Sequence, residues 1–334
     1  MMTEVVEWLD GADLMRETPK PIDWLVEGIL PTGTVGDVFS PPAVGKTSLL
    51  LSLILTIAEG KQRAWFGRAC GAGPVLVLGG EKSSRDVWVR DLHRASSGVG
   101  HDLEPGRLMI APSTLGPLFH WHPQRHVWER GSGYDAVARM VDSLRPVLTV
   151  IDTIGRAAWG QDPISIPQQQ SLAMALEHTG REFGGASLTV SHTSQASARE
   201  DVQRRLDYTA RAGSSGLPGH LRWLMGMTKL SGIEAAELLH MDTDDTRTVG
   251  DLEKRAIFAV AVSKPSEMPP PVWSRFNPAL FEMLVDGSIV KLEQQERRAQ
   301  PSTLVTLSDT KKTKAAAAAA GASTDDGEDL AWLK

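Results

Sequence analysis

The stretch TVGDVFSPPAVGKTSLLLSLILTIAE, residues 34–59, decides how the chain folds. The apolar segment over residues 34–40 predicts a short strand, and the run dense in Leu and Ile over residues 46–59 predicts a helix. Between them lies a turn that is rich in Pro and Gly. This order of strand, loop and helix is typical of the first unit of an α/β domain.

The loop itself follows the pattern G-x-x-x-x-G-K-[ST], with Ser40 in place of the first glycine. In such a loop backbone N–H groups wrap phosphate oxygens, and a glycine such as Gly45 lets the chain approach without a Cβ. We therefore predict a P-loop for ATP and Mg²⁺, in which Lys46 contacts the phosphates and Thr47 contributes to the metal site. The alternative is a chance turn before a core helix. The predicted nucleotide-binding residues are Pro42, Ala43, Val44, Gly45, Lys46, Thr47 and Ser48.

Outward from this stretch, short apolar segments alternate with helical ones. We predict further strands over residues 75–78, 108–111, 147–151, 187–190 and 255–262. We predict further helices over residues 86–95, 134–144, 172–183 and 232–240. Strands and helices that alternate at this spacing indicate an α/β fold, with a mostly parallel central sheet flanked by helices.

Four regions lack this alternation of strands and helices. Residues 112–133, rich in Pro, His and Trp, predict a loop whose rings pack on one another rather than bind a metal or stack on bases. Residues 200–230 are polar and Arg-rich, and residues 242–251 predict a polar turn or hairpin tip. Residues 281–292 predict a hairpin.

Length and composition limit the classes of protein to which the chain can belong. The chain has 334 residues, a formal net charge of −6 and one cysteine, so a disulfide framework is excluded and any nucleic-acid site must be a local patch. Its apolar runs are too short to cross a bilayer, and its first residues lack the features of a secretory signal. We expect a cytoplasmic protein without membrane contact. We expect a core over residues 31–296, an N-terminal segment over 1–30 at a subunit interface, and a flexible low-complexity tail over 297–334.

Three titratable residues follow predicted strands. Asp152 ends the strand over 147–151, where a carboxylate can bind Mg²⁺ or cap the next element. Glu81 follows the strand over 75–78, where it can activate a water molecule or be an ordinary solvated glutamate. His192 can respond to a γ-phosphate or simply end its strand.

Taken in order, these segments resemble the RecA-type core ATPases, and most closely the RepA-like hexameric helicases of plasmids and phages. The resemblance covers about residues 20–295. It rests on residues 36–48, 73–81, 148–153, 189–194, 213–215, 221–223 and 260–264. The resemblance implies a RecA-like core that forms a ring of six subunits, with ATP at each interface and single-stranded DNA as partner. It also implies that Glu81 is the catalytic base and that His192 is a switch linked to the γ-phosphate.

The sequence departs from that family at the expected trans-acting arginine. Members carry an arginine directly before Gly-Ser-Ser, where this chain has Ala212. Arg211, one residue earlier, is therefore our candidate for an arginine that acts on the neighbouring subunit, with Arg222 and Lys264 as alternatives. Ser191 also stands where the family has a histidine.

The DNA-binding residues that we expect are Arg199, Arg204, Arg205 and Arg222. A local basic loop in an acidic protein is compatible with phosphate binding. The alternative is a solvated helical face on which nearby carboxylates pair with these arginines.

The implied function is that of an ATP-dependent, ring-shaped motor on single-stranded DNA, most closely a replicative helicase. One alternative is a RecA/RadA-type recombinase or strand-annealing ATPase. Another is a regulatory or assembly ATPase whose partner is a protein. The acidic end of the tail, with apolar residues 330–333 behind it, is a candidate docking segment for a replication partner.

Overall fold

The computed structural model describes residues 9–61, 64–79, 84–96, 102–160, 162–213, 215–262 and 272–294. All of these residues lie in one compact unit. The predicted tail over 297–334 lies outside them. Within the described ranges, no helix has the length and apolar character needed to cross a membrane.

In the described residues the strands are β1 (Trp24–Val26), β2 (Leu30–Pro31), β3 (Val35–Ser40), β4 (Ala64–Trp65), β5 (Arg68–Ala69), β6 (Val75–Gly79), β7 (Leu108–Ile110), β8 (Phe119–His122), β9 (Val127–Arg130), β10 (Leu148–Asp152), β11 (Ala158–Trp159), β12 (Ala186–His192), β13 (Trp223–Lys229), β14 (Ala256–Val262), β15 (Ala279–Met283) and β16 (Ile289–Leu292). The helices are α1 (Gly11–Leu14), α2 (Lys46–Ala58), α3 (Arg85–Ser96), α4 (Tyr134–Leu144), α5 (Ile154–Ala157), α6 (Ile166–Phe183), α7 (Val202–Arg205), α8 (Gly216–His220), α9 (Gly232–Leu238) and α10 (Thr246–Glu253). Two 3₁₀ turns span Ser197–Arg199 and Tyr208–Ala210.

A nine-stranded sheet organises the molecule, in the order β7-β6-β10-β12-β3-β13-β14-β15-β16. The strands from β7 to β13 run parallel. The strands β14, β15 and β16 form an antiparallel flank on one edge. The α/β class with a mostly parallel central sheet, predicted from the alternation of segments, is confirmed.

Helices cover both faces of this sheet because successive strand residues point to opposite sides. Val38 and Val150 pack with the apolar side chains of α2 on one face. Phe39 and Ile151 pack with α4 and α6 on the other. The sheet therefore has a core on each side, and the ends of its strands are left to form a site.

Most element boundaries agree with the sequence predictions, and α4 spans the predicted residues 134–144. The predicted hairpin over 281–292 is present as β15 and β16, with Gly287 in its turn at φ +89°. Helix α6 begins at Ile166, six residues before the predicted start, because the Ser165 side chain caps it by accepting a hydrogen bond from the Gln168 N–H.

Three regions differ from their predictions. The predicted loop over 112–133 contains the paired strands β8 and β9, across which Trp121 and Trp128 pack at 5.3 Å between ring centroids. The predicted turn over 242–251 contains most of α10, which Asp245 caps by accepting from the Arg247 N–H. The polar region 200–230 contains β13, a strand that pairs directly with β3. The loop and turn predictions were therefore wrong.

Candidate active site

The loop between β3 and α2 has the backbone geometry of a phosphate-binding turn. Gly45 has a φ of +87° and Ala43 a φ of +60°. The φ of Gly45 favours glycine, and a Cβ there would also lie 2.6 Å from the Cε atom of Met283. Helix α2 has 13 residues and receives no side-chain cap from Gly45, which leaves the N–H groups of its first turn to bind a ligand.

Ser40 takes the place of the first glycine of the motif without disturbing this geometry. It is the last residue of β3, is completely buried and does not have a positive φ. Its hydroxyl donates to the carbonyl of Pro41 at 3.0 Å. Glycine is therefore not required at this position.

Lys46 joins the loop to the end of β12. Its side chain is buried, and its Nζ donates to the carbonyl of Ser191 at 2.7 Å. The same Nζ lies 3.4 Å from Nδ1 of His192. Because an ammonium group can only donate, this contact needs an unprotonated Nδ1 as acceptor. Lys46 and His192, predicted separately from the sequence, lie together.

Asp152 ends the strand next to β12 and is buried, with 8% of its surface exposed. It pairs in register with Val190, while His192 pairs with Ser40, so the ends of β10, β12 and β3 meet at one edge. The N-cap of α5 is Thr153, so Asp152 does not serve as that cap. The Thr47 hydroxyl and the Asp152 carboxylate are the oxygen ligands that Mg²⁺ prefers.

Two predicted residues, Glu81 and Lys264, lie outside the described residues. Strand β6, which leads to Glu81, ends at Gly79 in register with Asp152. A Cβ at Gly79 would lie 2.5 Å from Cζ2 of Trp88, so α3 packs closely against the end of this strand.

Arg211 forms a buried ion pair within its own chain. Its Nε lies 3.0 Å from Oδ2 of Asp37, and the two side chains are 5% and 0% exposed. Sequence reasoning missed Asp37. The available signal was an acidic residue inside an apolar strand, because a buried carboxylate requires a partner.

The four predicted DNA-binding arginines have different surroundings. Arg199 is exposed, and so is Arg204, which lies 3.6 Å from Glu200 and 3.7 Å from Asp201. Both follow β12 in the chain, and β12 ends next to the end of β3.

Arg205 and Arg222 pair with carboxylates of their own chain. Arg205 forms an ion pair with Glu234. Burial raises the pKa of Glu234, but the hydrogen bonds from the Ser231 backbone and from Arg205 outweigh this effect, so the pKa is lowered. Arg222 lies 3.8 Å from Glu177 and precedes β13, at the end of the sheet opposite the P-loop. The structure therefore does not bring the four arginines together on one surface.

A mostly parallel sheet with helices on both faces, and a glycine turn whose following lysine lies at the strand ends, define an α/β domain with the strand–loop–helix arrangement of a P-loop protein. A family model described as an AAA domain matches residues 4–198, more than half of the chain. The chain therefore belongs to the AAA domain family.

Two solved structures are similar to this chain. One is a KaiC-like protein from the hyperthermophilic archaeon Pyrococcus horikoshii OT3, with 16% sequence identity and a TM-score of 0.47 over 80% of this chain and 94% of that one. The other is the RadB recombinase, with 15% identity and a TM-score of 0.44 over 79% of this chain and 93% of that one.

Proposed function

We propose that this protein is a Mg²⁺-dependent ATP hydrolase whose turnover is stimulated by single-stranded DNA. The observation that carries the proposal is the contact of Lys46 with Ser191 and His192, on the strand next to the one that ends in Asp152. A phosphate group at the first turn of α2 is stabilised by backbone N–H groups and by the helix dipole.

Each residue of this edge then has a distinct role. Lys46 and the loop N–H groups bind the phosphates, and Thr47 and Asp152 hold the Mg²⁺ ion. The bound ion neutralises charge on the phosphate oxygens. His192 contacts the same lysine, so it can transmit a change at the γ-phosphate to the end of β12. We retain Glu81 as the proposed base that activates water.

Substitution of the phosphate and metal ligands tests hydrolysis. Lys46→Ala and Asp152→Asn should reduce hydrolysis to background while the melting temperature stays near that of the wild type. Lys254→Ala, at a side chain that is 78% exposed, is the matched control and should keep full activity. Glu81→Gln should bind ATP without hydrolysing it. Near-normal turnover of folded Lys46→Ala would contradict the proposal.

Stimulation by DNA is proposed to depend on Arg199 and Arg204, which are exposed and follow the strand that ends beside Lys46. Single-stranded DNA should raise the ATPase rate of the wild type, and the rise should weaken as salt increases. The double variant Arg199→Ala with Arg204→Ala should lose this stimulation but keep its basal rate. Arg222→Ala, at the opposite end of the sheet, should keep both.

We further propose that the protein forms a homo-oligomer. The RepA-like resemblance implies that this oligomer is a ring of six subunits. Light scattering and electron microscopy with DNA distinguish a ring from a filament. An unwinding assay on a forked duplex distinguishes a helicase from a RecA/RadA-type enzyme that pairs strands without unwinding.

A second candidate is a regulatory or assembly ATPase that acts on a protein partner. It is favoured by the pairing of Arg205 with Glu234 and of Arg222 with Glu177, which reduces the basic surface offered to DNA. Strong ATPase activity that single-stranded DNA leaves unchanged would support this candidate over the first.

A further inference from the structure

A buried polar network lies directly behind the contact between Lys46 and β12. Asp37 accepts from the Ser191 hydroxyl at 2.6 Å and from the Thr189 hydroxyl at 2.7 Å. Its Oδ2 atom also accepts from Arg211 at 3.0 Å. The four side chains lie on β3, β12 and the segment after the second 3₁₀ turn, so the network ties three parts of the chain together.

Ser191 belongs to both the network and the site. Its hydroxyl donates to Asp37, and its carbonyl accepts from Nζ of Lys46 at 2.7 Å. Its neighbour His192 is held in turn by the segment around Arg211, because the Ala212 N–H donates to the His192 carbonyl at 2.7 Å. The groups that contact Lys46 are therefore fixed by Asp37 on one side and by residues 211–212 on the other.

Stability alone does not explain a buried ion pair at this position. Apolar residues of similar volume often replace a buried ion pair without loss of stability, whereas hydrogen bonds to a charged group fix a geometry more strictly. The network supplies such bonds at the residue whose carbonyl holds the P-loop lysine.

We propose that Arg211 is a positioning residue for the ATP site of its own subunit: with Asp37 it holds the end of β12 so that Ser191 and His192 are correctly placed for Lys46. This inference rests on the proposed ATP hydrolysis. It differs from the prediction that Arg211 acts on a neighbouring subunit, because that role requires Arg211 to leave Asp37.

The first test compares two hydroxyls that bond to the same carboxylate. Ser191→Ala and Thr189→Val each remove one donor to Asp37, but only Ser191 also contacts Lys46. Displacement of a catalytic group by about 1 Å can cost on the order of a hundredfold in rate. We therefore expect Ser191→Ala to lower kcat by about tenfold or more with little change in KM, and Thr189→Val to keep kcat within about threefold. Equal effects of the two variants would overturn the proposal.

The second test asks whether Arg211 acts within its own subunit. Differently tagged Arg211→Ala and Lys46→Ala subunits are mixed, and oligomers that contain both are purified through the two tags. We expect no hydrolysis, because every site lacks either its own lysine or its own Arg211. Recovery of activity would overturn the proposal in favour of a trans-acting arginine. Wild-type subunits mixed with Lys46→Ala subunits control for the effect of mixing.

A third variant covers the case in which Arg211→Ala does not fold. Asp37→Leu combined with Arg211→Met replaces the ion pair by apolar side chains. We expect its melting temperature to lie near that of the wild type and its kcat to fall at least tenfold. Wild-type kcat in this folded variant would mean that the pair serves structure alone. If the wild type itself does not hydrolyse ATP, the proposed function fails before any variant is compared.

Discussion

Each of two arginine–carboxylate pairs joins a strand of the sheet to an arginine outside the strands, and the two pairs have opposite surroundings. In the parallel half, Arg211 and Asp37 are 5% and 0% exposed. In the antiparallel flank, Arg255 and Glu282 are 38% and 14% exposed, although they share two hydrogen bonds, one of them 2.8 Å long from Nε to Oε1. The pair with the better fork geometry is the one that water can reach. Burial, rather than the number of bonds, therefore determines which pair costs more stability when one partner is removed.

The physical reason is the cost of leaving a charge alone. If Asp37 is removed, the buried guanidinium of Arg211 loses the carboxylate that its Nε contacts. If Glu282 is removed, water can solvate the freed guanidinium of Arg255. A variant at each site measures this difference.

The largest effect is expected at the buried pair. Asp37→Ala should lower the free energy of unfolding by about 3–5 kcal/mol, the usual cost of an uncompensated buried charge. Urea denaturation followed by circular dichroism measures it. A loss below about 1 kcal/mol, as expected for an exposed pair, would mean that burial does not make the Asp37–Arg211 pair more costly to break than the Glu282–Arg255 pair.

The second-largest effect is expected at Gly45 of the parallel half, which lies against Met283 of the antiparallel flank. Gly45→Ala should cost about 1–3 kcal/mol, because a non-glycine residue is strained at a φ of +87° and because the new Cβ clashes with Met283. Adding Met283→Ala relieves only the clash. Unfolding curves of the single and double variants therefore separate strain from clash, and equal stability of wild type and Gly45→Ala would contradict both.

Two neighbouring strands of the parallel half, β3 and β13, show what the sequence could and could not predict. Residues 34–59 predicted β3, the P-loop and α2, because the apolar runs and the glycine are local signals. Strand β13 was missed although Trp223 is almost fully buried, because the polar residues before it and Gly226 within it obscure the apolar run. Gly226 is needed because a Cβ there would lie 2.6 Å from the Leu206 carbonyl oxygen. That contact is made by a distant residue and leaves no local pattern.

The candidate site also has residues that the sequence could predict and residues that it could not. Lys46 and Asp152 each follow a recognisable motif, so the sequence identified them. The bond between Arg211 and Asp37 joins residues 174 positions apart, and no spacing rule connects them. The sequence therefore made Lys46 and Asp152 candidates for a phosphate and metal site, but it did not predict the buried network of Asp37 and Arg211.

A smaller effect is expected at the exposed pair. Glu282→Gln should lower the free energy of unfolding at neutral pH by about 0.2–1 kcal/mol, the range of ion pairs in contact with water. The loss should shrink at high salt, because salt screens exposed charges more than buried ones. Denaturation at low and high salt measures it, and a loss as large as that of Asp37→Ala would contradict the comparison.

The smallest effect is the pH dependence of this same pair. The hydrogen bond from Arg255 lowers the pKa of Glu282 below its ordinary value of 4.5, although partial burial raises it. As the pH falls, the unfolded chain therefore binds a proton at Glu282 before the folded chain does. The stabilisation of the folded chain by this pair is present above about pH 4.5. It is lost as the pH falls through the lower pKa of the folded chain. Asp245 and Asp286 also have lowered pKa values, which arise first from hydrogen bonds from Thr248 and Ser288.

These other carboxylates titrate in the same range in both proteins, so only the difference in stability between wild type and Glu282→Gln isolates the pair. We expect this difference to be constant from pH 7 to about pH 5 and to narrow in more acidic solution. A difference that stays constant in acid, or that widens, would mean that Arg255 does not stabilise the ionised form of Glu282 in the folded chain.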